Sequence, residues 1–133
     1  MHVHIRVAGE RYAVDVGSVR EVVEIGEVTP LVGAPGCVLG VRNLRGQAVG
    51  VFDLARVLGL QRDAAPERLL VVACGDEHVG LAVDHVLDVE AITATEDAGV
   101  TGLLTGAALT DGALVGVVDL PAVLAALEAE VGS

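Results

Sequence analysis

The stretches GQAVGVFDLARVL, residues 46–58, and GALVGVVDLPAVL, residues 112–124, place an aspartate, Asp53 or Asp119, at the same point of the same apolar run. Two pseudo-symmetric acids are the equipment of an aspartic protease, in which like charges held close together share one proton. The flanking residues do not fit that chemistry. Each acid is followed by Leu and then Ala or Pro, where the protease turn needs a small hydroxyl residue and glycine. An aspartate ahead of a helical pattern instead accepts hydrogen bonds from the first free backbone N–H groups, and Pro121 suits the first turn of such a helix. His2 and His4, at i and i+2, share a strand face and could put two imidazoles on a metal. No third ligand is near in sequence, and histidines so close to a terminus are expected in solvent. His78 and His85 flank an apolar run without a nucleophile motif, with Ser18 in a turn and Ser133 at the terminus. The expectation is a protein without catalytic residues, metal or cofactor; the alternative is a duplicated β-barrel enzyme using Asp53 and Asp119.

Composition narrows the remaining classes. The chain has 133 residues, enough for one domain or two small lobes sharing a core. It is 53% hydrophobic yet holds one Phe, one Tyr and no Trp, so Val, Leu, Ala and Ile must build the core, and the Val content favours strands. The net charge of −11 and the scattered arginines argue against a nucleic-acid partner. The absence of lysine removes a P-loop lysine, a Schiff base and a polybasic membrane patch together. The longest apolar stretch, Gly112 to Leu127, is broken by Asp119 and Pro121, short of the roughly 18 uninterrupted residues of a membrane helix. The alternating start MHVHIRVAGERYAV is no signal peptide, which predicts a cytoplasmic address without membrane insertion. Cys37 and Cys74 are too far apart for a CxxC motif and read as idle or buried thiols.

The elements that must position these residues come in two copies. A constant offset of 66 superimposes Gly46 on Gly112, Val49 on Val115, Leu54 on Leu120, and HVHIRVAGE at 2–10 on RLLVVACGD at 68–76. One further residue aligns Val19, Val22 and Ile25 with Val86, Val89 and Ile92. The chain is therefore one domain of two pseudo-repeats, about 1–66 and 67–133. Each copy opens with a hairpin pattern, and VLGVRNL and AVGVFDL form a further hairpin around Arg45 and Gly46. The segment from Val19 to Ile25 reads as strand or helical turn; the helix after Asp53 is one turn stopped by Gly59, and the last helix runs from about Pro121 to Glu130. Whether the lobes exchange strands is open at this level. Arg45 has two readings: a loop-tip arginine is by default solvated, but its planar fork is also a common interface anchor.

The run GAPGCVLGVRNLRGQAVGVFDL, residues 33–54, resembles the signature of CheW-like domains, a Pro-containing loop leading to a G-V-x-N-L-R-G hairpin and a V-x-D-L strand end. RYAVDVGSVREVVEI, HVGLAVDHVLDVEAI and DGALVGVVDLPAVL resemble the family's early, later and closing elements. The resemblance implies a mainly β fold of two SH3-like five-stranded β-barrel lobes with a short helix and a C-terminal helix. It also implies a non-enzymatic adaptor that binds the regulatory domain of a CheA-type histidine kinase and the cytoplasmic tip of chemoreceptors, recruited to membrane-associated arrays. An adaptor of the same fold in pilus motility or other two-component signalling is the alternative. By the resemblance, receptor contact falls near Gly40, Asn43, Arg45, Gly46, Leu69 and Gly80, and kinase contact near Val19 and Glu21. Val19 has a repeat partner in Val86 and is equally readable as core, and the glycines as parts of their own turns. Relative to the family, the first strand starts almost at Met1 without a polar leader, and segment 93–107 is short. The chain carries neither a phosphotransfer, kinase nor receiver domain, which leaves a stand-alone adaptor.

Overall fold

A computed structural model describes residues 1–62, 64–90, 102–110 and 112–131. Ile92, used in the repeat alignment, Asp111, the counterpart of Arg45, and Ser133 lie outside the described residues.

The first repeat supplies β1 (His2–Val7), β2 (Glu10–Asp15), β3 (Val19–Glu24), β4 (Val38–Leu44), β5 (Gln47–Asp53) and α1 (Leu54–Val57). The second supplies their counterparts β6 (Arg68–Cys74), β7 (Glu77–Val83), β8 (His85–Glu90), β9 (Leu104–Thr110), β10 (Ala113–Val118) and α2 (Leu120–Val131). They form two five-stranded sheets, in the orders β8-β1-β2-β10-β9 and β3-β6-β7-β5-β4, which are the SH3-like lobes. Each sheet therefore draws on both repeats. The opening hairpin of each copy is inserted into the lobe completed by the other copy, so the exchange is reciprocal. The segment from Val19 is strand rather than helix.

Local chemistry sets the crossing points. Ala8 and Gly9 both take positive φ, 51° and 82°, as a two-residue type I′ hairpin requires, and this keeps β1 and β2 in one sheet. After β2, Asp15 accepts a hydrogen bond from Gly17 N at 3.0 Å and caps a 3-10 turn, Val16–Ser18, which redirects the chain so that β3 pairs with β6. After β7, the carboxylate of Asp84 accepts from Ala8 N at 2.8 Å while its own N–H donates to Arg6 O at 3.0 Å, and β8 pairs with β1. Parallel pairings β5 with β7 and β10 with β2 lock each inserted hairpin from its other side.

The larger apolar core is shared by the lobes. It joins Ile5, Val7 and Val14 of one sheet to Leu70, Val72, Leu81 and Val83 of the other, with Leu54, Val123 and Leu127 from the helices. Burying each such side chain contributes about 1.5–3 kcal/mol. In α2, Leu120, Val123 and Leu127 recur at i, i+3 and i+7 and turn one face inward. A smaller cluster, Val51, Leu69, Val71 and Ala82, fills the lobe that carries Arg45.

Candidate functional site

The strand-to-helix joints are built alike in the two copies. Asp53 Oδ1 accepts from Ala55 N at 3.1 Å and Asp119 Oδ1 accepts from Ala122 N at 3.1 Å. Behind them, Asp53 N donates to Cys37 O at 2.7 Å and Asp119 N to Leu103 O at 2.9 Å. Each carboxylate is thus spent on a helix start, Asp53 on the N–H two residues ahead and Asp119 on the N–H three ahead. Asp53 is buried and ion-paired with Arg62, and it lines a cleft of about 650 Å³ to which Asp119 contributes nothing.

His4 is a correction to the expectation of solvated histidines. It is fully buried because β1 is a central strand, flanked by β8 and β2 and covered on both faces. Its Nδ1 lies 3.5 Å from Arg11 Nη2 and its Nε2 lies 3.9 Å from a carboxylate oxygen of Glu90. His2 has a buried Nδ1 without a partner among the described residues. Burial first, and then the positive N-terminus, hold its pKa below the ordinary 6.5. Among the described residues no cluster of three His, Cys, Asp or Glu is placed to hold a metal.

The hairpin between β4 and β5 presents an exposed arginine on a tight turn. Arg45 and Gly46 both adopt positive φ, 50° and 83°, and Asn43 Oδ1 accepts from Gly46 N at 3.0 Å, which holds the turn closed. The Arg45 guanidinium, with 69% of the side chain exposed, forms an ion pair with Glu21 of β3. One residue group back, Arg42 Nε donates to Ile25 O at 2.8 Å. These two arginines tie the edge strands β3 and β4 of one sheet to each other.

The remaining expected contact positions lie beneath this surface. Gly40 is buried with φ at +145°, and a Cβ there would stand 2.1 Å from Thr29 O, so only glycine lets the 26–37 loop bridge to β4 through Thr29 and Val41. Leu69 is fully buried, and a Cβ on Gly80 would approach its Cδ1 to 2.8 Å. These residues set the shape under the hairpin and offer no side chain to a partner in this conformation. Val19 is half-buried against the shared core opposite Val72, and a bulge separates it from Glu21. Glu21, expected on the kinase side, and Arg45, expected on the receptor side, meet in one ion pair.

Sequence reasoning missed an apolar counterpart on the second hairpin. Leu109 and Leu114 face each other across β9 and β10, 75% and 71% exposed, where the first copy has Asn43 and Ala48. The signal was present as a break in the repeat. A second cleft, about 270 Å³, is lined by Phe52, Val79, Leu124 and Leu127 with Cys74, Glu77 and Glu128 at its polar side. Burial, then Glu128 and Glu77, push the Cys74 thiol pKa up.

A reciprocal duplication of SH3-like lobes, with an exposed arginine on one hairpin tip and Asp53 and Asp119 used as helix caps, defines a two-lobed β module. The chain belongs to the CheW-like domain family, whose model matches residues 2–128. It is 39% identical to the chemotaxis protein CheW of Thermotoga maritima over 82 residues, 61% of this chain and 54% of that protein. To the chemotaxis protein CheW of Klebsiella aerogenes it is 33% identical over 92 residues, 68% of this chain and 55% of that protein. The chain spans about half the length of the curated relatives it matches. The crystal structure of scaffolding protein TtCheW from Thermoanaerobacter tengcongensis superposes with a TM-score of 0.80 at 28% identity, covering 89% of this chain and 87% of that one.

Proposed function

We propose that this chain is a non-enzymatic adaptor that couples chemoreceptors to a CheA-type histidine kinase in chemotaxis signal transduction. It acts in the cytoplasm and joins membrane-associated arrays through its partners; no helix among the described residues is long and apolar enough to cross a membrane. The observation that carries the reading is the Arg45 hairpin, an exposed cation on a turn strained to positive φ and steadied by Glu21. Such a tip suits a receptor carboxylate, since a guanidinium fork gives directional, charge-assisted bonds. Asn43 and Gly46 hold the turn, Gly40, Leu69 and Gly80 shape the surface below, and Val19 and Glu21 offer an apolar and a charged contact to the kinase.

The test is receptor-controlled kinase activity in a reconstituted assembly. Arg45→Glu should retain the fold, because an exposed ion pair contributes only about 0–1 kcal/mol, and should weaken receptor control. Unchanged control with the charge reversed would remove Arg45 from the receptor site.

A further inference from the structure

The lobe that carries Arg45 is closed along one seam without a strand ladder. β3 and β4 stand at opposite ends of the order β3-β6-β7-β5-β4, β3 pairing with β6 and β4 with β5, and among the described residues no ladder joins the two. Polar rungs cross the seam instead. Thr29 bridges to Val41 through the backbone, Arg42 Nε donates to Ile25 O at 2.8 Å, and the Arg45 guanidinium pairs with Glu21. Arg42 and Arg45 are three residues apart in the chain, about 10 Å at the rise of an extended strand.

The middle rung is a side-chain contact built into the lobe. Its hydrogen bond is part-buried, and Arg42 Nη1 also donates at 3.3 Å to the carbonyl of Asn43, the residue whose side chain closes the Arg45 turn. Gly26 makes room for it, since a Cβ there would stand 2.7 Å from Arg42 Nε and 2.9 Å from Nη2. The duplication supplies an independent control. At the offset of 66, Arg42 corresponds to Ala108, which is buried opposite Val115 where Arg42 stands opposite Val49. The scaffold therefore accepts alanine at this place, and the arginine stands only in the copy whose hairpin tip carries Arg45.

We propose that Arg42 is a positioning residue: by fixing the width of the seam it places the Arg45 guanidinium against Glu21 and so presents it to a receptor carboxylate. The receptor half of this rests on the proposed adaptor role. A guanidinium suits the task because its rigid fork holds Ile25 O at the end of β3 and Asn43 O on β4 in fixed directions.

The Arg45 side-chain Nε–H NMR signal of the full chain reports the placement without a partner. Glu21→Gln, which neutralises the carboxylate, should move that signal, and Arg42→Ala should move it toward the same position with Glu21 intact and the amide spectrum otherwise native. Gly26→Ala keeps Arg42 but pushes its guanidinium off Ile25 O; it should give the same displacement and decides the matter if Arg42→Ala fails to fold. Arg42→Ala should also weaken binding of a receptor's cytoplasmic tip at least about fivefold, but less than about twofold when Arg45 is already alanine, because the two residues act as a unit. An Arg45 signal indifferent to Glu21→Gln or left at its wild-type position in both variants, or an equal loss of binding in the two backgrounds, would overturn the proposal. A folded wild type that bound no receptor tip would overturn the adaptor role and the receptor half with it, while the NMR comparison decides the seam by itself.

Discussion

Replacing Gly40 by alanine puts the sharpest demand on the structure. The new Cβ would lie 2.1 Å from Thr29 O and 2.7 Å from Thr29 C, backbone atoms that cannot rotate away, at a φ of +145° that L side chains rarely adopt. The loop would have to retreat, breaking the bridge in which Thr29 N donates to Val41 O at 2.8 Å and Val41 N donates to Thr29 O at 2.9 Å. Two hydrogen bonds at about 1 kcal/mol each and backbone strain of about 1–3 kcal/mol give a loss of about 3–5 kcal/mol. For a domain of this size that corresponds to a fall in Tm of about 10–25 °C. Equilibrium urea unfolding with the slope checked against wild type measures it. A loss under about 0.5 kcal/mol, the range of inert surface changes, would refute the assignment of Gly40 to loop docking. The same result bears on function: a Gly40 variant that loses receptor coupling while destabilised acts through the loop, not through a lost contact.

The other expectations concern caps and titrating groups. Asp119→Ala should cost about 0.5–2 kcal/mol, an ordinary cap loss, whereas Asp53→Ala should cost about 3–5 kcal/mol because it also leaves Arg62 without its counter-ion; equal losses in urea unfolding of the two variants would show that the Arg62 pair adds nothing. His2 has a folded pKa below its unfolded 6.5, so the unfolded chain binds the proton first, and stability is full above about pH 6.5 and falls as pH drops below it. His2→Gln should flatten that part of the stability profile, and an unchanged profile would exclude His2 as its source. Cys74, its thiol pushed up by burial and by Glu128 and Glu77, should react with a thiol reagent at pH 8 more slowly than a free cysteine, and Glu128→Gln should speed it.

Much of this fold was legible in the chain because duplication repeats its own punctuation. The Asp-Leu starts of both helices, the Gly46 and Gly112 turns and the opening hairpins are local features, and local chemistry decides them. Strand exchange was not legible. β1 and β6 carry interchangeable apolar patterns, so periodicity cannot say which copy β3 or β8 will join; the turn at Asp15 and the contacts of Asp84 decide it. The same topology explains the burial of two residues. β1 and β6 are both central strands with two covered faces, which buries His4 and Leu69 wherever alternation would put them. The Arg45–Glu21 pair joins positions far apart in sequence on strands that approach only when the sheet curls on itself, and no spacing rule reaches it. Leu109 and Leu114 show the converse case, since their exposure follows from a visible departure between the copies.

The proposed adaptor role requires one chain to engage both a kinase and a receptor. The decisive measurement is a pull-down of the purified protein with the regulatory domain of a cognate CheA-type kinase, with and without a receptor's cytoplasmic tip. The wild type should give a ternary complex, with receptor recovery reduced and kinase recovery retained for Arg45→Glu. Failure of the folded wild-type chain to retain either partner would contradict it.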